Sequence, residues 1–415
     1  MSGKVRGDGG VRDTAPAPRR LTAALSLDTL FGSLGLFSVL PILGLLLADR
    51  TGGAGTGLVG AGLFSYTASA GLSATLAHRW IARLDYRTGM LGALLTTGLA
   101  FGLFPYAGEG WALCAVLALA GFGVSVHFLL SRVLVAEMVA GGVQRNRVFS
   151  VLLVAVNAAS AVGPFAANLL YEAADPRLLM LAVALCYAAA AAALLPGLPR
   201  GRRPRPASGA WPVGRAVLAR VVRSPRMRRV VLAAGLGTFV YAQFFSAFAL
   251  YVGKEFASPA VSAALIAGPS LAVALAQTGV TAVANRALRS GAPPFLLLAC
   301  ANLIFGASMV TLGAGLPPLA GAVAAVAVFC CAEMVFGPMT NTAFAELPIE
   351  SSMEAFNLRQ LCWSCGEALG SFAGGTLFLA LYLAGDGALY WQGLGAATLV
   401  ATAALLVAGR GSPGP

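Results

Sequence analysis

SGAPPFLLLACANLIFGASMVTLGAGLPPLAGAVAAVAVFCCA, residues 290–332, runs for 43 positions without one charged side chain. As a single straight helix it would be about 65 Å long, roughly twice the hydrocarbon core of a bilayer. It must therefore fold back on itself. Gly313, Gly315, Pro317 and Pro318 supply the turn, because paired prolines suit the start of a helix and interrupt its middle. Two membrane spans follow from this stretch alone.

The same reading carried along the chain gives spans at 29–48, 51–77, 88–108, 111–131, 148–171, 178–199, 230–253, 256–285, about 356–383 and 387–409, twelve in all. Composition agrees. Of the 415 residues 58% are hydrophobic and 11% charged, whereas a soluble domain carries about 25% charged residues. The expected fold class is an all-α membrane protein of twelve transmembrane helices. Basic residues accumulate in short cytoplasmic loops. With the N-terminus inside, 24 of the 28 lysines and arginines fall on the inner side, and only Arg50, Arg177 and Lys254 lie outside. Both termini are thus expected in the cytoplasm, and the chain in the inner or plasma membrane. The net charge of +12 reads as topology plus attraction to anionic lipid, not as nucleic-acid binding. The polar segment 1–20, with Pro16 and Pro18, reads as a disordered cytoplasmic tail without a cleavable signal.

Between 200 and 229 the composition turns to Arg, Pro, Gly and Ser with no acidic residue, which marks a cytoplasmic linker. Within it Val213–Val222 reads either as an amphipathic helix on the inner leaflet or as plain solvated linker. Six spans lie on each side. GPFAAN at 163–168 and GSFAGG at 370–375 are offset by 207, Phe37–Ser38 and Phe245–Ser246 by 208, and Ala136–Glu137 and Ala345–Glu346 by 209. Parallel six-helix pseudo-repeats are the plan of a rocker-type secondary transporter. The expected organisation is a bundle at 21–199, the linker at 200–229, a second bundle at 230–409 and a short tail at 410–415.

Asp28 and Pro41 in span 1, Arg132 in span 4, Asn157, Gly163 and Pro164 in span 5, and Arg83, Asp85 and Arg87 between spans 2 and 3 carry a resemblance that covers residues 21–409. The chain resembles a major facilitator superfamily transporter, most closely the twelve-span drug:proton antiporter group. Its loop lacks the Gly and first Asp of that group's motif, so Asp85 is the candidate substitute. The resemblance implies proton coupling through the span-1 acid and the span-4 arginine, and a role for Gly163–Pro164 as the antiporter motif.

No glycine-rich loop precedes Lys4 or Lys254, so nucleotide hydrolysis within this chain is excluded. Gly55, Gly57 and Gly60 match a dinucleotide pattern but open a membrane span, and Cys362 and Cys365 sit in an apolar helix, so both read as packing. No cofactor or metal is expected, and no enzyme activity. An ion gradient remains, which requires ionisable groups at membrane depth, where they are costly and functional by default. Asp28, His127, Arg132, Glu333 and Glu367 qualify, on spans 1, 4, 4, 10 and 11.

Asp28 lies about 12 Å and Arg132 about 10 Å inside the same surface, which allows a gate ion pair or an inert one. Glu333, about 22 Å deep, and Glu367, about 18 Å deep, approach the midplane. His127 reads equally as a proton relay or a hydrogen-bonded helix contact. Asn157, Tyr241, Gln243, Phe244, Phe248 and Glu333 are candidates for the substrate cavity, where an aromatic wall suits an amphipathic organic compound better than a sugar. The expectation is a monomer that exports such a compound against protons, with nutrient symport and a transporter-like receptor as alternatives.

Overall fold

The structure is a computed structural model whose description covers residues 19–43, 46–47, 56–173, 176–206 and 211–408. Arg50, Gly55, the 410–415 tail and the N-terminal tail up to residue 18 lie outside the described residues.

Twelve long helices follow one another: α1 Arg19–Val39, α2 Thr56–Leu76, α3 Tyr86–Leu103, α4 Gly110–Met138, α5 Gly142–Ala173, α6 Pro176–Leu194, α7 Pro225–Gln243, α8 Pro259–Arg289, α9 Pro294–Leu312, α10 Pro318–Ala345, α11 Ser352–Ala373 and α12 Gly387–Val407. Among the described residues, eleven helical stretches are long and apolar enough to cross a membrane. The other helix, α2, carries no charge but is diluted by glycine, serine and threonine. It earns its place by packing on α4, where the Ser69 hydroxyl donates to the Ala118 carbonyl at 2.6 Å.

The 290–332 stretch folds back where expected. α9 ends at Leu312, Gly315 adopts φ +71°, and Pro317 and Pro318 open α10. A left-handed residue next to a proline pair reverses the chain within five residues, a conformation glycine adopts without steric cost. Several helices outrun the charge-free runs that marked them. α4 continues past Arg132 to Met138 and α10 past Glu333 to Ala345. Charges that other helices surround do not end a span, so counting charge-free runs underestimates helix length there.

Two large hydrophobic clusters divide the described residues, one running from Leu21 to Leu198 and the other from Val213 to Trp391, with a small third at Val273, Cys330 and Met334. Met353 and Phe356 of α11 belong to the first, so the start of α11 is anchored in the opposite half. Helix breaks in the second half are π-segments, Phe244–Phe248 after α7 and Gly374–Phe378 after α11, which shift the faces of both helices together.

At the arginine-rich end of the molecule the two halves touch, beside a cavity of about 370 Å³ between α5 and α8. Asn146 of α5 donates through Nδ2 to Asn285 Oδ1 of α8 at 2.6 Å, and the Phe149 and Phe356 rings lie 6.5 Å apart. The segment after α6 runs across this contact. The Arg205 amide donates to Glu137 Oε1 at 3.1 Å in the first half, and its carbonyl accepts from the Ser351 hydroxyl at 2.9 Å in the second. Further along, Gly214 N–H donates to Glu354 Oε1 and Asn357 Nδ2 donates to the Pro212 carbonyl. A short helix, Arg215–Arg223, then buries Val217 in the second core while Leu218, Val222 and its arginines stay exposed. Pro225 opens α7 inside the segment read as linker.

Candidate functional site

Asp28 sits nine residues into α1, about 13 Å from its start. It is 0% exposed. The partner it meets is His127, not Arg132: His127 Nε2 lies 2.8 Å from Asp28 Oδ2. The expected Asp28–Arg132 pair is therefore corrected. Arg132 follows His127 by five residues, which rotates it about 140° around α4 and moves it about 7.5 Å along the axis, onto the face toward α11.

Beside the Asp28–His127 pair lies a cavity of about 20 Å³, lined by Thr29, Ser33, Thr97, Phe128 and Tyr187 among others. That is room for about one water. Two polar atoms here are buried without a partner among the described residues, Asp28 Oδ1 and the Tyr187 hydroxyl. Phe101 stacks on Tyr187 at 6.0 Å and fixes the ring. A paired acid and imidazole with one free acceptor in a water-sized space can take up and release a proton.

A second cavity of about 180 Å³ opens between α2, α4 and α11. Thr75, Ser125, Phe128, Arg132, Arg359, Gln360 and Trp363 supply its polar and aromatic lining. Phe128 is thus a wall common to both cavities. The Arg132 guanidinium lies over that ring at 5.5 Å and donates weakly to Gln360 Oε1 at 3.4 Å. Arg359 lies over the Trp363 ring at 5.0 Å, is 4% exposed, and leaves its Nε without a partner among the described residues. Along α11, Arg359, Trp363 and Glu367 repeat at four-residue intervals on one face, and Trp363 Nε1 donates to Glu367 Oε2 at 3.0 Å.

The acidic candidates of the second half gather around Tyr241. Glu333 and Glu367 both lie within electrostatic reach of its hydroxyl. The Tyr241 ring stacks on Phe329 at 5.8 Å and lies 5.6 Å from Trp363, which links this cluster to the larger cavity. Gln243, Phe244 and Phe248, expected on the cavity wall, are core residues instead. The Gln243 amide is saturated, donating to the Gly370 carbonyl at 2.9 Å and accepting from the Tyr390 hydroxyl at 2.6 Å. Phe244 stacks between Phe329 at 4.8 Å and Phe248 at 5.1 Å.

Asn157 is buried on α5 and donates back to the Leu153 carbonyl of its own helix at 3.1 Å. Gly163 meets α1 directly: its carbonyl accepts from the Ser38 hydroxyl at 3.3 Å, and a Cβ there would lie 2.9 Å from the Phe37 carbonyl carbon. Pro164 stands within α5 just after this contact. Arg83, in the loop before α3, is exposed, and Arg87, in the first turn of α3, is half-buried. The Thr88 hydroxyl, with backbone bonds from Thr88 and Gly201, holds the Asp85 carboxyl below the usual range. Asp85 therefore joins α3 to the segment after α6.

Sequence reasoning counted Arg359 among the inner-loop charges and passed over Trp363. The signal was present, because Arg359 falls inside the 356–383 span.

The Major Facilitator Superfamily model matches residues 25–371. The crystal structure of the human organic anion transporter MFSD10 (TETRAN) superposes with a TM-score of 0.69 at 18% sequence identity, covering 94% of this chain and 100% of that chain. No curated protein matches the sequence. A family match over most of the chain, on twelve long helices that enclose polar cavities, makes this protein a member of the Major Facilitator Superfamily, a multi-pass membrane transporter and not an enzyme.

Proposed function

We propose that the chain couples the movement of a small amphipathic organic compound to protons by alternating access, with Asp28 and His127 as the proton site. The observation that carries this reading is the fully buried pair whose free Asp28 Oδ1 borders a water-sized cavity, one ring away from a larger cavity. Burial of an acid without a functional return is costly in a membrane protein. Phe128, Trp363 and Tyr241 provide apolar surface for the cargo, and the contact between halves at the arginine-rich end supports reading that end as the cytoplasmic gate under the positive-inside rule. In this reading the halves 21–199 and 230–409 rock about the central cavities, the 200–229 segment straps them together, and one chain suffices.

Export in exchange for protons is the first reading, in line with the resemblance to drug:proton antiporters. Coupled symport is the second, and the guanidinium groups of Arg132 and Arg359, without a carboxylate partner among the described residues, favour it, because a proton that enters with an anionic cargo offsets its charge. Glu333 and Glu367 are the alternative proton carriers. Reconstituted protein with a fluorescent pH reporter separates these readings. Exchange makes protons on the cargo side inhibitory, and symport makes them stimulatory. In either case Asp28→Asn abolishes uphill movement while downhill cargo exchange survives. Uphill movement that persists in Asp28→Asn with unchanged pH dependence assigns the proton to Glu333 or Glu367.

A further inference from the structure

The larger cavity contains a chemical imbalance. Two guanidinium groups, Arg132 from the first half and Arg359 from the second, line about 180 Å³ of space. Neither forms an ion pair with a carboxylate among the described residues. Arg132 has one long bond to a neutral amide, and buried Arg359 has a ring face and an unpartnered Nε. Burying a cation is tolerated when a hydrogen-bonded counter-charge is supplied, and removing one partner of such a set is strongly unfavourable. Two cations facing one space also repel each other. Both defects are corrected by the same event, the arrival of an anion.

We propose that Arg132 and Arg359 form the receptor for an anionic group on the transported compound, a carboxylate, sulfonate or phosphonate carried on an aromatic or apolar body. This deepens the transport reading above and rests on the larger cavity being the cargo site. Guanidinium groups present planar forks that match such oxyanions bidentately. Gln360, Thr75 and Ser125 line the same space and add neutral hydrogen-bonding groups. Phe128 and Trp363, whose faces already carry the two guanidinium groups, give the apolar body two rings to stack on. Because one arginine comes from each half, the anion also bridges the two bodies that must move relative to each other.

The test uses purified full-length protein and three matched probes, 2-naphthoate, its primary amide and 2-naphthylmethylammonium, with equilibrium binding and ligand-induced thermal shift as readouts at one fixed pH. Naphthalene sulfonate and phosphonate extend the anion series. The expected result is binding of at least one anion about tenfold or more tighter than the amide, and weakest binding of the ammonium. Arg132→Gln and Arg359→Gln should each weaken anion binding about tenfold or more without changing amide binding, as expected for loss of a charge-assisted contact. Arg132→Lys and Arg359→Lys, which keep the charge, should fall between. An amide or ammonium that binds as tightly as every anion of the series overturns the proposal on wild-type protein alone, independent of whether any variant folds. If the anion binds selectively but its movement ignores an imposed pH gradient, the receptor stands and the proton-coupling reading fails. If pH-driven movement of the ammonium is found instead, coupling stands and the anion receptor fails.

Discussion

Asp28 and His127 are both buried at about the same depth, and the 2.8 Å contact between them ties α1 to α4. Estimated depth alone also allowed Arg132, and the five-residue offset puts the two on different faces of α4, so that only one of them meets Asp28. A double-mutant cycle measures this directly. Asp28→Asn with His127→Gln should show an interaction energy of about 1–3 kcal/mol in thermal stability, within the range for contacting residues, while Asp28→Asn with Arg132→Gln should be additive within about 0.5 kcal/mol. Strong coupling in the second cycle and none in the first would return Arg132 to the partner role.

Glycine at position 163 lets α5 approach the α1 backbone, where the Ser38 hydroxyl reaches the Gly163 carbonyl. Small residues at such contacts are how membrane helices pack closely, since lipid supplies little driving force for association. Gly163→Val should push α1 and α5 apart and lower stability by about 1–3 kcal/mol, the usual range for overpacking. A detergent melting curve indistinguishable from wild type would show that the helices have slack there. The resemblance assigned Gly163 and Pro164 an antiporter role, and close packing of α1 on α5 is a physical basis on which both residue types are useful. The same principle operates in the second half, where a Cβ at Gly366 would lie 2.7 Å from the Gly235 carbonyl oxygen.

At the scale of the whole molecule, the contact between Asn146 and Asn285 at the arginine-rich end must open if access alternates. In a background without native cysteines, the pair Asn146→Cys and Asn285→Cys should form a disulfide under mild oxidation, stop transport, and recover it on reduction. Transport that continues through the cross-linked protein would mean that this end does not separate. The strap through Arg205, Pro212 and Gly214 predicts where the halves stay joined when it does, since it bonds Glu137 on one side and Ser351, Glu354 and Asn357 on the other.

Sequence by itself determined the class, the number of long helices and the place of the α9–α10 turn, because each depends on properties local in the chain: apolar runs against a fixed bilayer thickness, and the conformations open to Gly and Pro. It also singled out the buried Asp28 and His127, since charge in an apolar run is conspicuous whatever surrounds it, but not the buried Arg359 or Glu354. Only the tertiary structure decided which of them meet. His127 rather than Arg132 faces Asp28, Gln243 is spent on Tyr390 and Gly370, and Arg359, counted as a loop charge, lines a cavity with Arg132. Those outcomes depend on the rotation of one helix against another and on π-segments that reset a helical face. Side chains far apart in the chain fix these features, and no local pattern of residues records them.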